Sequence, residues 1–198
     1  MKKTLLFIVI ISLIVITTLT KNSTIKLENQ IFNAKENISL LKDKYVINDE
    51  TVEILIKQSL LQAQMGCDVI APSDMMDGRV NHIRNILDKN KFEKLPIFSY
   101  SVKYASAFYG PFRDAADNTP KHGDRKSYQM NYKNSLEAMR EAETDINEGA
   151  DALIVKPAMS YLDIIYRIKS KFSIPVIAYN VSGEYSMLKA AAEKGWLD

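Results

Sequence analysis

Pro96-Ile-Phe-Ser-Tyr-Ser-Val-Lys103 and Ala152-Leu-Ile-Val-Lys-Pro157 decide the fold. Each is a short apolar run with strand character, each sits between helix-like segments, and each ends on a lysine. Working outward, Val52, Leu55, Ile56, Leu60 and Ala63 follow helical spacing after Asn48 and Asp49, which read as N-caps with Glu50 and Glu53 favouring a helix start. Gly66 ends that helix, and Asp68-Val-Ile-Ala-Pro72 reads as a short strand. Val80, Ile83, Ile86 and Leu87 mark a second helix, and Pro96 to Lys103 is the next strand. A polar stretch from Tyr104 to about Asn134 is too long for an ordinary connection and suggests a binding loop. Asn134 with Glu137 makes a capping box before a stripe of Met139, Ala142 and Ile146. Gly149 stops that helix before the strand Ala152 to Val155. Ser160 and Asp163 flank a further helix with Leu162, Ile165 and Ile168 inward. Pro175 to Tyr179 is the last strand, and a helix from Glu184 to Lys194 ends at Gly195.

Strands alternating with helices imply an α/β fold with parallel strands and covering helices. About four strands are visible, whereas a closed eight-stranded barrel takes about 250 residues. The expectation is therefore a small open sheet or part of a barrel. The 198 residues are 46% hydrophobic, enough for one domain with a core. Residues 1–40 stand apart. Lys2 and Lys3 precede the apolar run Leu5 to Ile16, and a polar, Asn- and Lys-rich stretch follows. A signal or membrane anchor over residues 4–20 and a non-functional apolar leader are the competing readings. The expected division is thus a leader and linker over 1–40 and an α/β domain over 41–198.

Net charge is +2, with both signs interspersed, which argues against a nucleic-acid surface. Cys67 is the only cysteine, so there is no intrachain disulfide and no cysteine cluster for zinc; it reads as a small buried apolar residue. In parallel α/β proteins ligands bind at the carboxyl ends of strands, where Lys103 and Lys156 stand. An amine that is partly desolvated and close to another cation loses proton affinity and becomes a nucleophile toward carbonyls. Two such amines could hold two carbonyl compounds as imines. The competing reading is an ordinary lysine with its stem on apolar surface and its amine in water. Tyr104, Phe108, Tyr109 and Phe112 read as loop packing or pocket lining.

The stretches Ala71-Pro-Ser-Asp-Met-Met-Asp-Gly-Arg79, Ser99 to Arg113, Gly123-Asp-Arg-Lys-Ser-Tyr-Gln-Met130, Val155-Lys-Pro157 and Val181-Ser-Gly-Glu-Tyr185 occur in one order. From about residue 40 to 198 they resemble the porphobilinogen synthase (delta-aminolevulinic acid dehydratase) family. The resemblance implies a partial (β/α)8 TIM barrel. It also implies condensation of two molecules of 5-aminolevulinate to porphobilinogen, with release of two waters, in tetrapyrrole synthesis. It marks Lys103 as the lysine of the A-side substrate and Lys156 as that of the P-side substrate. Arg113 and Arg125 match residues that bind the A-side carboxylate, Gln129 a nearby contact, and Ser182 a serine that holds the P-side carboxylate. Ser73, Asp74 and Asp77 sit just after a strand, where polar contacts to a reacting site are expected, and Ser73 and Asp74 are read as additional site residues; helix capping before Val80 is the alternative, most of all for Asp77. Glu141 matches a position tied to an allosteric magnesium ion, against a solvated helix glutamate.

The resemblance further implies a divalent metal, zinc or magnesium, no organic cofactor, a cytoplasmic location and a homo-oligomer, usually an octamer. By the same comparison both ends of the family barrel are expected to be missing. Asn180 stands where the family motif more often has glutamine. The rival readings are an inactive remnant, a membrane-anchored non-catalytic module and a generic class I aldolase, which the second lysine and the Arg113, Arg125 pair fit less well.

Overall fold

The computed structural model describes residues 47–116 and 125–197. The leader and linker expected over residues 1–40 lie outside these residues, as do Gly123 and Asp124. Three parallel strands form one sheet in the order β1 (Phe98–Lys103), β2 (Ala152–Lys156) and β3 (Val176–Ala178). Among the described residues six α-helices surround or connect them: α1 (Asn48–Gln64), α2 (Arg79–Lys89), α3 (Gly110–Ala115), α4 (Ser135–Asn147), α5 (Leu162–Lys171) and α6 (Ser182–Glu193). This is the α/β arrangement expected, with one strand fewer. The expected strand at Asp68–Pro72 reduces to a single parallel bridge between Ile70 and Ile97. Ile70 N–H donates to Pro96 O, and Phe98 N–H donates to Ile70 O. Three residues on, the Ser73 carbonyl accepts from the Lys103 amine instead of pairing with a strand.

The core lies between sheet and helices. Val80, Ile83 and Leu87 of α2, Ala138 and Ala142 of α4, and Ile164 and Ile168 of α5 pack against Ile97, Val102, Leu153 and Val155. The inward face of α5 differs from the expected one: Ile164 and Ile168 are buried, while Leu162 is 65% exposed. The helix starts only at Leu162, after a 3-10 turn at Met159–Tyr161, so Leu162 sits in the first turn with its side chain in solvent. Cys67 is half-buried and packs against the core rather than inside it.

Asn134 caps α4 as expected: its side chain accepts from Glu137 N–H at 3.2 Å, while the Glu137 carboxylate takes the Asn134 side-chain amide at 3.1 Å and the Asn134 backbone N–H donates to Asn131 O, so the reciprocal half of a capping box is not formed. Gly66, Gly149 and Gly195 follow their helices with the positive φ that closes a helix end. Asn48 is not the cap of α1, because Ile47 holds that position. Asn48 instead donates to Asp77 O at 3.2 Å and accepts from Asp77 N–H at 2.8 Å, tying α1 to the loop before α2. The cap of α2 is Gly78, with no side-chain bond, so Asp77 does not cap that helix either.

Two buried contacts lock these elements together. Arg79, 3% exposed, donates to Met76 O at 3.1 Å, to Ser99 Oγ at 3.0 Å and to Asp145 at 3.3 Å, and its Nε lies 3.3 Å from Asp74. Ser99 in turn donates to Asp145 at 2.6 Å. One guanidinium thus joins α2, β1, α4 and the Ser73–Met76 loop. The second contact is Gly183, where a Cβ would stand 2.7 Å from Phe108 O and 2.8 Å from Phe108 Cα. Only glycine lets α6 approach the Phe108 backbone this closely.

Two stability outcomes follow. Arg79→Met leaves Asp145 and Asp74 buried without their cation and is expected to cost about 3–5 kcal/mol in urea unfolding. Gly183→Ala forces backbone apart and is expected to cost about 1–3 kcal/mol. Melting curves matching the unaltered chain would refute both contacts as constraints.

Candidate active site

β1 and β2 run parallel with Lys103 directly opposite Lys156. The two amines therefore leave the sheet at the same edge, the carboxyl ends of neighbouring strands. Around them the chain adds further backbone. Tyr104 N–H donates to Lys156 O at 2.9 Å, and Met130 N–H donates to Lys103 O at 3.0 Å. Tyr109 Oη donates to Tyr104 O at 2.8 Å and lies 3.3 Å from Lys156 O. Tyr104 and Tyr161 stack with ring centroids 3.9 Å apart. The loop read from sequence as long and polar is thus partly built into the site. It contains α3, 3-10 turns at Ala107–Tyr109 and Arg125–Ser127, and a parallel bridge between Tyr104 and Met130.

The two lysines have different surroundings. Lys103 is 8% exposed, and its amine donates to the main-chain oxygen of Ser73. Burial is the main force lowering its pKa to about 8; the Lys156 ammonium, Arg125 and Arg79 push the same way, and Asp74 opposes them. Lys156 is half-buried among three tyrosines, with its Nζ 4.2 Å from the ring centre of Tyr179, 5.3 Å from Tyr100 and 5.5 Å from Tyr109. Burial and then Arg125 hold its pKa below the usual lysine value. Lys103 is the more deeply buried of the two amines, and the Lys156 ammonium adds to the lowering of its pKa. Arg125 therefore lies within electrostatic reach of both amines.

Among the other residues singled out from sequence, Ser73 contributes its carbonyl to Lys103, while the residue itself is exposed. Asp74 accepts from Met76 N–H at 2.8 Å, but its Oδ2 is buried without a hydrogen-bond partner, and burial raises its pKa. Arg113 lies 5.6 Å from the Tyr109 ring, and its Nε is buried and unpartnered. Gln129 is 5% exposed, with Oε1 unpartnered. The positive charges of Arg125 and Arg113 both act on the Tyr128 hydroxyl, which places the two arginines around one side chain. Ser182 Oγ accepts from Phe112 N–H at 3.0 Å and reaches Phe108 O at 3.4 Å, so it holds α3 to α6. Phe112 itself is 56% exposed, and Tyr109 is buried. Glu141 lies outside this group, half-buried on α4 and 3.6 Å from Arg140; burial and then Asp145 raise its pKa.

Tyr100, Tyr179, Arg79 and Glu184 belong to the site or its support and were not singled out from sequence. Arg79 and Glu184 stand inside the quoted motifs, but only their burial reveals what they do. Tyr100 and Tyr179 directly follow or lie within strand segments, a position that offered a signal.

Two lysines side by side at the carboxyl edge of a parallel sheet, with arginine charge around them, place the chain among α/β proteins whose ligand sites lie at the carboxyl ends of the strands. The model of the delta-aminolevulinic acid dehydratase family matches residues 30–198. The delta-aminolevulinic acid dehydratase of Bacillus subtilis is 58% identical over 158 residues, covering 80% of this chain and 49% of that protein. Its counterpart from Synechocystis is 61% identical over 153 residues, 77% of this chain and 47% of that protein. The fold is similar to the crystal structure of delta-aminolevulinic acid dehydratase (porphobilinogen synthase) from Toxoplasma gondii, solved in complex with the reaction product porphobilinogen. That likeness has a TM-score of 0.75 and 54% identity, and covers 78% of this chain and 44% of the other. This chain belongs to the delta-aminolevulinic acid dehydratase family. It spans about half the length of the curated relatives it matches, and its sheet is part of the family's TIM barrel.

The electrostatics predict a distinct pH response. Labelling of Lys103 by a limiting amount of acetic anhydride, mapped by peptide mass, is expected to rise as pH passes through about 8, because the neutral amine is the reactive form. Exposed lysines rise only near their ordinary value. A Lys103 profile that coincides with theirs would refute the depressed proton affinity.

Proposed function

We propose that the chain carries the two imine-forming lysines of a porphobilinogen synthase, which condenses two molecules of 5-aminolevulinate to porphobilinogen with loss of two waters. The observation that carries this reading is the register pair: Lys103 and Lys156 lie opposite one another at the carboxyl ends of adjacent parallel strands, both with lowered proton affinity.

Each neutral amine attacks the ketone carbon of one substrate molecule. A carbon–nitrogen bond forms, and the carbonyl oxygen leaves as water. The protonated imine is an electron sink that acidifies the adjacent carbon and permits carbon–carbon bond formation. Lys103 serves the A-side molecule and Lys156 the P-side molecule. Arg113 and Arg125 bind the A-side carboxylate through paired N–H groups, and the unpartnered Arg113 Nε supports that assignment. Gln129 contributes a further contact beside them. Ser182 receives the P-side carboxylate by exchanging its present backbone partners for it. Asp74, with raised proton affinity and a free carboxylate oxygen, is suited to carry a proton beside Lys103, which already bonds the Ser73 carbonyl.

The family reading also implies a divalent metal. Among the described residues no group of three or more His, Cys, Asp or Glu could hold one, so these residues do not fit a metal centre. Glu141, the position tied to magnesium, has Asp145 and Arg140 for neighbours and would need ligands from elsewhere. The same reading assigns a homo-oligomer, usually an octamer, and a cytoplasmic location. No helix among the described residues is long and apolar enough to cross a membrane.

Borohydride reduction in the presence of 5-aminolevulinate, followed by peptide mass mapping, tests the assignment. Reduced adducts are expected on Lys103 and Lys156 and on no other lysine. A folded chain that yields neither adduct would sink it.

A further inference from the structure

Glu184 is fully buried, and both of its carboxylate oxygens face backbone N–H groups. Oε2 accepts from Val181 N–H at 2.8 Å, the bond by which a glutamate in the first turn of a helix secures the residue before it. Oε2 also accepts from Ala158 N–H at 3.3 Å, and Oε1 accepts from Met159 N–H at 2.7 Å. Ala158 and Met159 follow Lys156 by two and three residues, in the turn that leaves β2. One carboxylate therefore caps α6 and grips the chain immediately beyond Lys156.

The Lys156 backbone is also held upstream through β2 and at its own carbonyl, which faces Tyr104 N–H and the Tyr109 hydroxyl. The same end of α6 presses Gly183 against Phe108, the neighbour of Tyr109, whose ring faces the Lys156 amine. Glu184 and Gly183 thus set both the backbone of Lys156 and one wall of its aromatic surroundings.

We propose that Glu184 is a positioning residue for Lys156: it fixes the turn after β2 so that the amine stays among Tyr100, Tyr109 and Tyr179. This rests on the reading of Lys156 as an imine-forming lysine. The role requires acceptors at both oxygens. Glutamine offers one carbonyl oxygen and an NH2 group, which would point a donor at a backbone donor. Aspartate keeps both acceptors but is one methylene too short to span Val181 and Met159 together.

The test compares Glu184→Gln and Glu184→Asp with the unaltered chain, reading Lys156 against Lys103 in each sample. Limited acetic anhydride labelling across a pH series needs no substrate. In the variants the Lys156 profile is expected to move up toward that of an exposed lysine, while the Lys103 profile moves less, because burial is the main cause of its depression and the Lys156 charge only the next. Borohydride trapping with 5-aminolevulinate is expected to lose the Lys156 adduct by about tenfold or more relative to Lys103. General unfolding would free both amines together. An unchanged ratio of Lys156 to Lys103 labelling, or profiles that move by the same amount in both variants, overturns the proposal. Absence of both adducts from the unaltered chain counts instead against the imine assignment, and the labelling ratio still decides the role of Glu184.

Discussion

The parallel pairing of β1 with β2 is the constraint on which the site depends. It fixes Lys103 opposite Lys156 through backbone hydrogen bonds, before any side-chain contact is made. A shift of one residue in either strand would turn one lysine to the other face of the sheet. Large side chains around the pair hold that register. Ile97, Val102, Leu153 and Val155 are buried against α2, α4 and α5, and Asp151 receives Ile97 N–H at 2.8 Å at the other end of the strands. The packing therefore bears on the spacing of the two lysine amines as well as on the stability of the sheet.

Charge is buried beneath this edge in two different ways. Arg79 meets two carboxylates, a hydroxyl and a carbonyl, so a cation that would be costly alone is shared among four elements. Glu184 meets three backbone N–H groups instead. The first arrangement reaches the Ser73–Met76 loop, whose Ser73 carbonyl receives the Lys103 amine; the second reaches the turn after Lys156. Each lysine thus has its own buried anchor, and the anchors lie on different helices.

Much of the fold was legible in sequence because it is written in local signals. The Asn134–Glu137 cap, the glycines that close helices and the apolar runs ending in Lys103 and Lys156 all depend on residues close together in the chain. The failures lie where partners are distant. Asn48 resembles a cap, yet its side chain is taken by Asp77, 29 residues away. Asp68–Pro72 has the composition of a strand, but only Ile70 finds a neighbour to pair with. Leu162 fits the helical period and still faces solvent, because the helix begins at that residue. The candidate site shows the same division. The lysines announce themselves by strand position, whereas Arg79, Tyr179 and Glu184 acquire their roles only when separate segments meet. The family resemblance supplied Arg113, Arg125, Gln129 and Ser182, which no periodicity marks.

The contrast between the lysines also bears on the imine chemistry proposed for them. Attack on a ketone needs a neutral amine, whereas carbon–carbon bond formation from the imine needs the cationic form. Desolvation favours the first requirement and opposes the second. At Lys103 the neighbouring cations press toward the neutral amine, and Asp74 is the counterweight that can stabilise a positive imine once formed. At Lys156 the counterweight is the set of three tyrosine rings, whose faces attract a cation without offering a full negative charge. A carboxylate can also accept a proton, and a ring face cannot. The surroundings thus suit Lys103 to steps that couple charge with proton transfer, and Lys156 to holding a cation in place, although both residues leave the sheet at the same edge.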